Sequence, residues 1–190
     1  MTKLTVISPP AEEPVSLATA KAYLRIGHDG EDALIADLVA SARARIEQES
    51  GLALVSQGLR VVWGTWPAAI AGRGAILPRR PATSLSSVHV EDGDGTLTDH
   101  TARFRLDCGR LALRTWSQCP VLASDDTVLV AFNAGFGAAD EVPADLKEAC
   151  LRMTGALYAE RETLPSSGSS NVGLPDAVQS ILNARREVRL

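Results

Sequence analysis

One segment limits the fold more than any other: Asp29–Gly51, DGEDALIADLVASARARIEQESG. Leu34, Leu38, Ala42 and Ile46 recur at near-helical spacing, and Ile35 and Val39 widen the same stripe. That is the pattern of a helix packed on a core. Asp29 suits the N-cap, and Asp32 stands where the third helical residue of a capping box would be. Both carboxylates would then meet free N–H groups at the positive end of the helix. Gly51 can take the left-handed conformation that ends it. About twenty residues at 1.5 Å each give a rod of roughly 30 Å. Such a rod has to be buried along its length, by the rest of the domain or by a neighbouring subunit.

The remaining chain is long enough to bury it. At 190 residues, with 45% hydrophobic and 22% charged residues, the composition is that of one globular domain with room for an appendage. A net charge of −4 argues against a general nucleic-acid binder, whose footprint is basic. It leaves room for a protein that surrounds DNA without gripping it. Cys108, Cys119 and Cys150 are odd in number and lack a C-x-x-C spacing, so they read as reduced thiols and not as a metal or disulfide framework. No apolar run approaches the length of a membrane span. The start, MTKLTVISPP, has one lysine and a short apolar run, which makes a poor signal peptide. The expectation is an intracellular protein.

Taken in order, Leu4–Ile7 predicts a short strand or extended arm, stiffened beyond by Pro9, Pro10 and Pro14. Ser16 caps a predicted helix Leu17–Arg25, with Leu17, Ala20 and Leu24 on one face. The close connection through Gly27–Gly30 predicts that this helix folds back on the main one. After Gly51 the period changes. Leu59–Trp63, Ser86–Glu91 and Thr127–Phe132 read as strands, and Ala75–Pro78 as a short apolar edge. Asp92–Gly95, DGDG, is a hairpin turn leading to Leu97–Thr101. Phe104–Leu106 and Leu111–Leu113 flank a second hairpin turn. Pro143 opens a second long helix, Ala144–Arg161, with Leu146, Cys150, Met153 and Leu157 along one side. The polar stretch Thr163–Gly173 then leads to a last short helix, Leu174–Ala184, with Val178, Ile181 and Leu182 as its apolar side, and to Arg185, Arg186 and Arg189. The predicted fold class is α+β: a core of two long helices with short N- and C-terminal helices, and a β-rich insertion, 57–133, between the long ones. The expected organisation is one domain over 1–190, with 163–190 as linker and C-terminal docking helix.

Nothing in the chain calls for catalysis. His28, His89 and His100 are isolated and lack the spacing of a metal or protease motif. Asp92, Asp94 and Asp99 fail the spacing of a calcium loop. Asn133–Asp140, NAGFGAAD, lacks the glycine spacing that cradles a phosphate. The serines of Ser166–Ser170 carry no nucleophile elbow. No cofactor or metal is expected. The aromatic residues say more: Trp63, Trp66, Trp116, Phe132 and Phe136 belong to the β region or its borders. Trp66, beside Pro67, has the character of an interface anchor.

The order of the segments VISPPAEEPVSLATAKAYLRI, EDALIADLVASARARIEQESGLAL, QGLRVVWGTWP, ILPRRPATSLSSVHVEDGDG and VLVAFNAGFGAADEVPADLKEACLRMTGALYAERE resembles the head–tail connector (adaptor) proteins of long-tailed bacteriophages and of alphaproteobacterial gene transfer agents. The polar loop Ser166–Ser170 departs from that pattern. The resemblance implies a non-enzymatic ring subunit, usually twelve-fold, beneath the portal of a filled capsid. It implies as partners the portal protein, a stopper or tail-completion protein, further copies of the chain, and DNA passing through the lumen without sequence-specific binding. It further implies that the C-terminal segment meets the portal, here through Arg185, Arg186 and Arg189 with Val178, Ile181 and Leu182 behind them. On the main helix, Asp37, Arg43, Arg45 and Glu47 face away from the predicted core stripe and are candidates, with Trp66, for contact between subunits. A stopper or tail-completion ring is the alternative within virion proteins. A small enzyme using His28 or His89, or a nucleic-acid binder gathering Arg43, Arg45, Arg60 and Arg73, are the alternatives outside them.

Overall fold

A computed structural model of the chain describes residues 2–115, 117–160 and 173–185. The fold is α+β, and the chain divides into two compact units. One comprises Met1–Ala11 with Ser56–Gly135, and the other Glu12–Val55 with Phe136–Leu190.

The first unit is built of antiparallel sheets. Strands β1 (Thr2–Ser8), β2 (Gln57–Trp63), β3 (Ala75–Ile76), β4 (Ala82–Glu91), β5 (Leu97–Asp99), β6 (Phe104–Asp107), β7 (Arg110–Leu113) and β8 (Thr127–Ala134) form two of them. A five-stranded sheet runs β1-β2-β8-β4-β5, and a three-stranded sheet runs β3-β7-β6. The alternation of β2 and β8 decides which face is core. Leu59, Val61 and Trp63 pair with Phe132, Val130 and Val128, and all six are buried, as a period of two requires. The expected β insertion is therefore not self-contained: the strand from the N-terminus completes its sheet. The β6–β7 turn holds Cys108 at φ 47° and Gly109 at φ 74°, the paired left-handed conformation of a two-residue hairpin.

The second unit is helical, with α1 (Leu17–Leu24), α2 (Asp32–Ser50), α3 (Ala144–Glu160) and α4 (Asp176–Ala184). Its core joins Ile35, Val39, Ala42 and Ile46 of α2 to Leu146, Ala149, Cys150 and Met153 of α3. Each large aliphatic group buried there contributes about 1.5–3 kcal/mol. The buried stripe is thus centred one residue beyond the predicted line: Leu34 is 40% exposed, whereas Ile35 is fully buried. The helix start also differs. Helix α2 begins at Asp32 with no side-chain cap. Asp29 and Asp32 instead each lie 2.6 Å from Lys21 Nζ, because an ammonium group binds a carboxylate more strongly than neutral N–H groups do. Ser16 does cap α1, its hydroxyl accepting from the Thr19 N–H. Gly51 ends α2 at φ 68°. In the glycine-rich connection, Gly137 is at φ 128° and a Cβ there would run into the Glu141 carboxylate. That carboxylate accepts from the Ala138 N–H at 2.8 Å, so the glycine serves the turn that precedes α3.

Candidate assembly surfaces

Among the described residues no group of three or more His, Cys, Asp or Glu is placed to hold a metal ion, and no helix is long and apolar enough to cross a membrane. His89 lies opposite Asp99 and Leu129 on the outer face of the large sheet. With Arg60, Ser87, Leu97, Leu129 and Ala131 it lines a depression of about 130 Å³. Burial and the nearby Arg103 push the His100 imidazole below its ordinary pKa.

Several of the residues expected to face a neighbouring subunit are committed within their own unit. Arg43 donates from Nε to Glu13 at 2.7 Å and from Nη1 to Glu47 at 3.1 Å. Glu47 is 5% exposed, and its other carboxylate oxygen accepts from the Leu54 N–H at 2.8 Å. Val39, Arg43 and Glu47 follow one another at four-residue steps, so they run down one line on the flank of the buried stripe. Arg43 and Glu47 are therefore paired within their own unit, Glu47 buried and Arg43 half-buried. Burial opposes the Arg43 charge, but Glu13 and Glu47 outweigh it and raise the guanidinium pKa further. Asp37 and Arg45 are exposed on α2.

Helix α4 shows the same inward commitment. Val178 and Leu182 are buried in the helical core, with Ile181 packed against it. Arg185 makes a two-pronged contact with Asp145, at 2.8 and 2.7 Å, and this holds the Asp145 carboxyl below the ordinary aspartate range. Val178 and Leu182 are thus packed in their own unit, and Arg185 is paired there. Arg186 and Arg189, like the linker 163–172 and Trp116, lie outside the described residues.

Among the described residues, each unit has a further surface feature. On the helical unit a groove of about 290 Å³ is lined by Val15, Leu17, Ala36 and Val39, with Glu12 and Glu13 at its polar side. On the sheet unit, Trp66 stacks on Phe104 with ring centroids 5.1 Å apart and donates from its indole to the Pro120 carbonyl at 2.8 Å. Trp66 is thereby an internal anchor that pins the loop after β7. The Asp126 carboxylate accepts from the Ala123 N–H in the same loop at 2.8 Å. Between those two tethers Val121 is 97% exposed. Arg103, Arg105 and Arg114 are exposed nearby along the β6–β7 hairpin. The Arg114 N–H to Arg103 carbonyl bond of 2.8 Å extends the hairpin register by one step. Sequence periodicity could not have found Val121, since a single valine in a loop belongs to no repeat.

No protein-family profile matches the chain, and no curated protein matches it by sequence. Solved structures do. A chain from the neck of an empty gene transfer agent particle, computed with six-fold symmetry, matches over 99% of this chain and 97% of that one, with 25% identity and a TM-score of 0.79. The fold is that of a gene transfer agent neck chain. A chain from the neck of the native particle, computed with twelve-fold symmetry, matches at 25% identity and a TM-score of 0.68, over 97% of both chains. A chain of the native virion shares the neck fold with a TM-score of 0.79 at 23% identity, over 98% of this chain and 96% of that one. The similarity extends across both units of this chain, so neither unit is an addition to the neck fold.

Proposed function

We propose that the chain is a structural subunit of the neck of a phage-like particle, at the junction of head and tail, and that it forms the adaptor ring beneath the portal. The observation that carries this reading is the end-to-end match to the neck chain at 25% identity, covering 99% of this chain and 97% of that one. The six- and twelve-fold symmetry of those necks supports a cyclic assembly of identical chains, with twelve copies as the expected number. A ring of identical chains needs two different surfaces on each copy. The net charge of −4 suits a channel through which DNA passes, because a strongly basic lining would hold phosphates. The adaptor extends the channel below the portal and offers its far side to the stopper or tail.

The segment after α4, which carries Arg186 and Arg189, is the proposed portal contact. Helix α4 itself packs into its own unit through Val178 and Leu182. Electron microscopy of purified particles with this subunit localised tests the assignment. Density directly beneath the portal is expected. Density confined to the tail side of another ring would make the chain a stopper instead.

A further inference from the structure

We propose that the three-stranded sheet presents a sequence-independent binding surface for DNA phosphates, formed by Arg105 and Arg110 on its outer face and by Arg103 and Arg114 at its open end. The source of the DNA rests on the neck reading above; the binding itself does not.

The register of the sheet gathers these residues. Arg105 lies opposite Ala112 and Asp107 opposite Arg110, while Ile76 of β3 lies opposite Arg110 on its other side. Residues directly opposite share a face, so Arg105, Asp107, Arg110, Ala112 and Ile76 form one side of the sheet. Phe104, Leu106, Leu111 and Leu113 form the other, where Phe104 and Leu111 are buried in the core. The arginines therefore stand on the face turned away from the core. One further step of the register, from the Arg114 N–H to the Arg103 carbonyl at 2.8 Å, sets two more arginines opposite each other. Like charges so placed are unfavourable unless an opposite charge lies against them.

The chain does not neutralise this charge itself. Residues 103–114 hold four arginines and one carboxylate, Asp107. Asp107 is 3.0 Å from Arg105, but both side chains are 51% exposed, so the pair is weak and screened. Arg114 donates from Nε to the Phe104 carbonyl at 3.0 Å, and Arg103 from Nη1 to the Gln118 carbonyl at 3.4 Å. Those carbonyls orient the guanidinium groups without cancelling their charge. Among the described residues, Arg103, Arg110 and Arg114 have no ion pair.

Such a surface fits a polyanion. An acidic protein is the less favoured partner, because protein interfaces are apolar at their centre and depleted of charge there. The apolar groups on this face are Ala112, which is already buried, and Ile76 on the short strand beside it; Val121 belongs to the loop after β7 and not to the sheet. Protein–DNA interfaces are instead polar and strongly positive, and guanidinium groups match phosphate oxygens in both charge and hydrogen bonding. Contacts to phosphates carry no base information, so DNA of any sequence is accepted. A few such contacts per copy, on a chain whose net charge is −4, give a salt-sensitive hold along which DNA slides.

Anisotropy titration of a fluorescent DNA duplex of mixed sequence with the isolated chain tests the surface. Wild-type protein is expected to bind, and log K should fall against log[NaCl] by about 0.9 for each phosphate neutralised. Arg105→Ser with Arg110→Ser should weaken binding about ten-fold or more at low salt and make the slope shallower by roughly two, with the melting temperature unchanged. Arg105→Lys with Arg110→Lys should bind nearly as the wild type does, since an ammonium group also meets phosphate. Arg25→Ser with Arg152→Ser makes the same change of net charge on the helical unit and should leave binding intact. No binding by the wild type, equal losses in the two serine variants, or strong preference for one DNA sequence would overturn the proposal. In purified filled particles, Arg105→p-azidophenylalanine under ultraviolet light should attach to DNA. Attachment to another virion protein alone, as an acidic docking partner would give, or no attachment in particles that contain the chain, would also overturn it. Those outcomes leave the neck assignment standing. Absence of the wild-type chain from purified particles would instead remove the neck assignment, while DNA binding in solution would still stand.

Discussion

At the residue scale, the side chain that decides most is Glu47. It satisfies the Leu54 N–H beyond the end of α2 and shares Arg43 with Glu13. Glu47→Ala leaves a buried donor and a half-buried guanidinium each without one partner. The expected loss of stability is about 2–4 kcal/mol, read by urea denaturation. Glu47→Gln keeps an acceptor for Leu54 and should lose less. A sequence reading sees a charged residue and assigns it to water, since charged residues are rarely buried unless paired. The partner that reverses this, Glu13, lies thirty positions from Arg43, and no local pattern reports it. The cysteines divide by the same logic of burial. Burial drives the Cys150 thiol pKa up to about 12 and also raises that of Cys119, while Cys108 is exposed at the hairpin tip. A thiol-reactive dye added to the native protein should therefore label Cys108 first and reach Cys150 only on unfolding. Mass spectrometry of the labelled peptides checks this order.

At the scale of elements, α4 changes its meaning most. As a sequence it is a short amphipathic helix after a polar linker, which suits a segment that waits for a partner. In the fold its apolar side is already occupied by its own unit. Leu182→Ala is expected to destabilise that unit by about 2–5 kcal/mol, measured by chemical denaturation. A deletion that begins at Leu174 would strip core residues along with any portal contact, so truncation after Arg185 is the cleaner probe of docking. The Arg185–Asp145 pair adds a dependence on pH. Because the folded-state pKa of Asp145 is depressed by Arg185, its contribution is complete above the ordinary aspartate value, near 3.9. It is lost as the pH falls through the depressed folded value. Hydrogen exchange in α4 should therefore quicken selectively in that acid window. Asp145→Asn should remove the window. The helices and strands themselves were largely legible, because hydrophobic period and turn residues are local signals. The start of α2 was not, because a lysine on another helix competed for its two aspartates.

At the scale of the whole molecule, the adaptor reading predicts what happens without the chain. Cells lacking it should accumulate heads that do not join tails, visible by negative-stain microscopy, and supplying the chain in trans should restore joined particles. Full joining in its absence would exclude an essential place in the neck. The chain by itself determined the α+β class and the order of its elements, since both are written in spacing and residue type. The order of its segments also carried the resemblance to connector proteins, and the match to a gene transfer agent neck chain over nearly the full length supports its coarser part, a structural protein of the neck. Only the tertiary structure decided which polar side chains are inside and which apolar ones are outside. Glu47 is buried and Arg43 and Trp66 are part-buried with partners inside their own units, while Leu34 and Val121 are among the exposed apolar groups. The physical reason is that a side chain's environment is set by residues distant in sequence, through burial, ion pairing and hydrogen bonding, and local periodicity contains no record of those neighbours.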